Sequence, residues 1–117
     1  MGRVAGLERR RFDESDSVQE VPRGRIELVS LGGRTVGRIT YEPGWRWQSD
    51  MGPIAGSDRC QFHHVGVTMS GRLHVETEDG QQLELEPGDV FDIPPGHDAW
   101  VVGDEPWVAV DFEAFQP

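Results

Sequence analysis

The chain has 117 residues, fifteen of them Gly and eight Pro, and a formal net charge of -10. A length of this order makes one domain that buries a core without staples, and so acidic a body speaks against nucleic acid and against anionic membrane surfaces as partners. Every basic residue is Arg, a lone Cys60 excludes an intrachain disulfide, and no apolar run approaches a membrane span. The N-terminal arginines have no apolar stretch behind them, so no secretory signal is expected and a cytoplasmic location follows by elimination.

Residues 1–21 lack hydrophobic periodicity and read as an N-terminal arm, with a helical turn near Leu7–Phe12. Such an arm is either disordered or laid across a partner subunit. Residues 22–117 read as a single barrel. Strand signals begin at Arg25, where Ile26 and Leu28 alternate with Glu27 and Val29. Gly32-Gly33 turns the chain into Thr35–Tyr41, and Pro43-Gly44 ends that run. Gln48 to Arg59 is rich in Gly, Pro, Ser and Asp and reads as a loop. A strand from Cys60 to Met69 follows, then Ser70-Gly71 and Leu73–Thr77. Asp79-Gly80 is the strongest hairpin signal, with Leu83 and Leu85 alternating beyond it. Val90–Ile93, residues 98–102 and residues 107–112 complete about eight short strands, with no convincing helix. That spacing is the pattern of an all-β sandwich or barrel. The Cys…Trp…Cys framework of an immunoglobulin-like sandwich is absent.

The segment Gly88-Asp-Val-Phe-Asp-Ile-Pro94-Pro95-Gly96-His97 resembles the second motif of the cupins. His64 and Gly71 have the spacing of the acidic ligand and the glycine in the first cupin motif. The resemblance spans about residues 35–112, and Gly96-His97-Asp98-Ala99-Trp100 is similar to a subgroup of small single-domain cupins. It implies a double-stranded β-helix, or jelly-roll barrel, with a site inside. It also implies a homodimer paired through a sheet, and the face opposite His64 offers the apolar row Val65, Val67 and Met69 for this. The departures are specific. The Glu position holds His64, the second-motif His position holds Ala99, and His97 lies two residues earlier, on the same face of an extended strand. The His-x-His element has no clean match. One count puts it at Asp50 and Gly52, another at Asp58 and Cys60.

Imidazole, carboxylate and thiolate are ordinary ligands for zinc and related metals. His64 and His97 form the core of the expected metal site, and Asp50, Asp58, Cys60 and His63 compete for the remaining places. The adjacent His63 and His64 point to opposite faces, and the motif spacing selects His64, with Gly66 and Thr68 beside it leaving room for a ligand. His74 reads as solvent-exposed. Trp45 and Trp47 either line the barrel mouth and stack on a ligand or plug the core, and Arg46 is the candidate cation for an anionic substrate. Two functions are open. One is a barrel that binds a divalent metal (zinc, nickel, iron or manganese) and a small molecule, with His64 as catalytic residue of an enzyme. The other is a metal-free module that binds or senses a small molecule.

Overall fold

The computed structural model describes residues 6–117, which contain nine antiparallel strands in two facing sheets. Ser17–Val21 (β1), Gly24–Leu31 (β2) and Arg34–Tyr41 (β3) form a meander. His64–Ser70 (β4), Arg72–Thr77 (β5), Gln82–Leu85 (β6), Val90–Ile93 (β7), His97–Val102 (β8) and Trp107–Asp111 (β9) follow. The larger sheet has the order β1-β2-β3-β9-β4-β7 and the smaller β6-β5-β8. This is the jelly-roll barrel that the turn spacing implies.

Alternation builds the core. Ile26, Ile39, Tyr41, Trp107 and Ala109 point inward from the larger sheet, and Leu73, Val75, Ala99 and Val101 meet them from the smaller. Turns are made at glycines in the left-handed region, such as Gly71 with φ 74°. A side chain at Gly71 would also strike the carbonyl of Pro106, so this turn is fixed twice over.

Two expectations are corrected. The arm of residues 1–21 contains β1, which continues the larger sheet through a turn at Pro22-Arg23. Its sequence, Ser-Val-Gln-Glu-Val, puts Val18 and Val21 on opposite faces and forms a largely exposed edge, with Val21 packed against the core. The described part of the arm, from residue 6, lies on its own barrel: Arg10 donates to Asp16 and to the Ser30 carbonyl, and Arg38 sits over the Phe12 ring. Residues 1–5 lie outside the described residues. The helical turn falls at Phe12–Glu14 instead of Leu7–Phe12.

Second, the expected loop at 48–59 begins with a π-turn, Trp47–Met51, running into one helical turn, Gly52–Ala55 (α1). Pro53 sits in the first turn of α1, where its missing N–H costs nothing, and Gly56 closes it with φ 71°. The acidic side chain of Glu27 on β2 is buried. It is 4% exposed and accepts two bonds of 2.9 Å from Arg38. No helix of the described residues is long and apolar enough to cross a membrane.

Candidate metal centre

Two backbone pairings assemble the site. The Cys60 N–H donates to the His97 carbonyl (2.8 Å) and the Gly96 N–H to the Cys60 carbonyl (2.7 Å). This isolated bridge sets Cys60 opposite His97. His64 opens β4 against Ile93. The ligand atoms of Cys60, His64 and His97 lie within 4.8 Å of one another, and the two imidazoles meet edge to face with centroids 5.1 Å apart. Cys60 and His97 are buried, and the side chain of His64 is 16% exposed.

Each histidine is oriented by its other nitrogen. His97 Nδ1 is 2.7 Å from the Pro94 carbonyl, which can only accept, so Nδ1 carries a proton and Nε2 is the ring nitrogen left for another partner. His64 Nδ1 donates to Asp111 Oδ2 at 2.6 Å, and its Nε2 lies 3.5 Å from Cys60 Sγ. Asp111 is wholly buried at the end of β9, between Gly66 on one neighbouring strand and Gly37 on the other. Its second oxygen accepts the backbone N–H groups of Glu113 (2.9 Å) and Ala114 (3.0 Å).

These contacts set the charges. Burial alone would raise the Cys60 thiol, but the imidazoles of His64 and His97 overcome it and bring it down to about 6. Burial opposes a charged His64 ring, yet the bonds to Asp111 and Cys60 push it up to about 9. Burial would likewise raise Asp111, and the His64 and backbone N–H bonds hold it below the usual carboxylate range. These shifts favour a thiolate, an imidazolium and a carboxylate in one chain when no metal is bound; a metal would displace the His64 Nε2 proton and leave the Nδ1–H donating to Asp111. One thiolate and two oriented imidazole nitrogens form a donor set that suits zinc, iron or nickel better than manganese, which prefers oxygen.

The other expected residues are placed as follows. Asp50 is buried but stands apart from the cluster. Its oxygens accept from Arg23 (2.8 Å) and from the Arg46 backbone N–H (2.9 Å), which pins the π-turn. Asp58 is exposed, and His63 faces outward onto Asp92 at 2.7 Å. Arg46 does not serve the barrel interior: it donates to Asp98 at 2.9 and 2.7 Å and lies over the Trp100 ring outside. His74 is shielded, stacked on the other flank at 4.4 Å from Trp100 and beside Glu76 and Glu84. Trp45 and Trp47 are buried and line a cavity of about 280 Å³ that also reaches Cys60, His64, His97 and Asp111. The room expected beside Gly66 and Thr68 is partly filled: a side chain at Gly66 would meet Phe91, and Thr68 accepts from Trp107 Nε1 at 3.2 Å. Asp111 was not anticipated. Its signal was a carboxylate in the inward phase of the alternation Trp107, Ala109, Asp111.

No protein-family model and no curated protein matches the chain. Solved structures do match it in fold. A protein of unknown function from Rhizobium leguminosarum superposes with a TM-score of 0.65 at 18% identity, over 92% of this chain and 97% of its own. KdgF from a Halomonas species gives 0.59 at 24% identity, over 87% and 90%. A cupin-like protein from Thermotoga maritima gives 0.54 at 17%, over 78% and 68%. The chain has the fold of a small cupin domain.

Proposed function

We propose that this barrel holds one divalent transition metal between Cys60 Sγ, His64 Nε2 and His97 Nε2 and binds a small organic molecule beside it. The observation that carries this reading is the fixing of both Nδ1 atoms, by Asp111 and by the Pro94 carbonyl, in a cluster where His64 Nε2 lies 3.5 Å from Cys60 Sγ and the ligand atoms of all three residues lie within 4.8 Å of one another. Histidines that ligate metals commonly have their second nitrogen held in this way. Three protein ligands leave a further position free, and a metal there would polarise a carbonyl or lower the pKa of bound water. The chain's own residues would do the rest: Asp111 and Pro94 orient the two rings, and Trp45 and Trp47 wall off solvent on one side. His64 is in this reading a ligand first, and a general base only in a barrel without metal. The reading includes a homodimer and a cytoplasmic setting, where a free thiolate stays reduced.

A second reading has one observation in its favour. Cys60, His64 and Asp111 satisfy one another without a metal, as a metal-free binding module would require.

Elemental analysis of chelator-free protein separates the two. Near-stoichiometric zinc, iron or nickel is expected, lost in His64→Ala and in Cys60→Ala and kept in His63→Ala, with the strand signal in circular dichroism unchanged. Full metal content in folded His64→Ala would overturn the proposed centre. No uptake from zinc, nickel, iron or manganese solutions would favour the metal-free module.

A further inference from the structure

Without a metal, Cys60, His64 and Asp111 make a linear relay. Cys60 Sγ lies 3.5 Å from His64 Nε2, and His64 Nδ1 donates to Asp111 Oδ2 at 2.6 Å. Asp111 is held in turn by the backbone N–H groups of Glu113 and Ala114. A nucleophile within reach of a base, with a third group orienting that base, is the arrangement that activates thiols and hydroxyls.

The relay belongs to a cavity wall. Cys60, His64 and Asp111 all line a space of about 280 Å³ that Tyr41, Trp45, Phe91 and Trp107 also enclose. A dry cavity of about 150 Å³ takes one benzene ring, so there is room here for about ten non-hydrogen atoms. Ile54 and Phe62, 71% and 62% exposed, stand at its rim. Cys60 itself is 2% exposed, so the way to its sulfur leads through this space. Sulfur is a soft nucleophile, and aromatic walls select an apolar electrophile.

We propose that the metal-free barrel captures small apolar α,β-unsaturated carbonyl compounds covalently at Cys60, with His64 handling the proton and Asp111 as the positioning residue of His64. Sγ forms a bond to the β-carbon, and the π pair of the C=C bond shifts toward the carbonyl. The proton shared between Sγ and His64 Nε2 ends on the α-carbon. Nothing leaves: thiol and enone become one thioether. A metal on the same sulfur would compete with this addition. The capture goes beyond the metal-binding function and does not rest on it.

Phenyl vinyl ketone, which matches the cavity in size, and acrylamide are each mixed with chelator-treated full-length protein, and intact mass is followed over time. Metal uptake is measured on the same preparation. Cys60 is the sole cysteine, so an adduct missing from Cys60→Ala reports it alone. Each rate is divided by the rate of the same reagent with glutathione, which removes intrinsic reactivity. The quotient for phenyl vinyl ketone is expected to exceed that for acrylamide by about tenfold, the contribution of burying one ring. His64→Ala should slow the addition about 100-fold. His63→Ala, whose ring faces Asp92 on the outside, should leave it unchanged. No adduct at Cys60 of the folded protein, or equal quotients for the two reagents, overturns the proposal. Folded His64→Ala that reacts as fast as wild type overturns the role of the relay. An adduct on a protein that takes up no metal leaves the capture standing and removes the metal centre. Zinc uptake by a protein whose stripped form stays unmodified does the reverse.

Discussion

Asp111 is fully buried and yet held as a carboxylate, because His64 and two backbone N–H groups all donate to it. That arrangement fixes the tautomer of His64. In Asp111→Asn the backbone donors keep the amide oxygen and turn its NH₂ toward Nδ1. The ring then answers by accepting at Nδ1 and carrying its proton on Nε2, where the metal should bind. Asp111→Asn is therefore expected to lose about 10- to 100-fold in metal affinity while still folding. Zinc competition with a chromogenic chelator measures this, and an unchanged affinity would remove Asp111 from the centre. At this scale the sequence was partly legible. His64 and His97 were both named from the resemblance to the two cupin motifs. Cys60 was one of several competitors, since an isolated backbone bridge to His97 leaves no mark in local periodicity. Arg46 was misplaced because Asp98, 52 residues away, captures it.

Strands β4 and β9 hold the two ends of the ligand-orienting chain, His64 and Asp111, and they approach closely where Gly66 lies opposite Asp111. A Cβ at Gly66 would run into the Val110 carbonyl and the Phe91 ring. Backbone is the obstacle, so the strands must part. Gly66→Ala should cost about 1–3 kcal/mol, as overpacking of a core does, and should weaken metal binding with it. Denaturant melts read the stability, and a loss under about 0.5 kcal/mol, the scatter of surface changes, would show that the sheet absorbs the methyl freely. Most strands were legible because turn glycines and prolines punctuate a period-two pattern. β1 was not, since its two valines, Val18 and Val21, fall on opposite faces of a largely exposed edge and give no alternation. The turns over Trp47–Ala55 were not either, because Gly, Pro and Ser mask a helical segment of so few residues.

At the scale of the whole molecule, an apolar row on the larger sheet is only partly covered by the described residues. The smaller sheet covers the His64 side of the larger one, so the row Val65, Val67 and Met69 points outward, with Met69 56% and neighbouring Val90 78% exposed. The arm packs instead near Arg38 and Ser30. A second copy pairing on this row is the expected cover. Sedimentation should show a dimer that Val67→Glu dissociates, and a wild-type monomer at working concentration would reject it. The barrel was legible from the sequence, because turn spacing and the cupin-like motif act over the whole chain. The ligand and the metal were not, because they depend on which side chains the closed barrel leaves without partners.

The central claim is that Cys60, His64 and His97 share one metal ion. Cobalt(II) substitution tests it most directly, because a thiolate bound to cobalt gives a near-ultraviolet charge-transfer band and low coordination number gives intense visible bands. Both are expected in the wild-type protein, with loss of the near-ultraviolet band in Cys60→Ala and loss of cobalt itself in His97→Ala. A cobalt spectrum unchanged in Cys60→Ala, or no cobalt uptake by the folded wild-type protein, would contradict it.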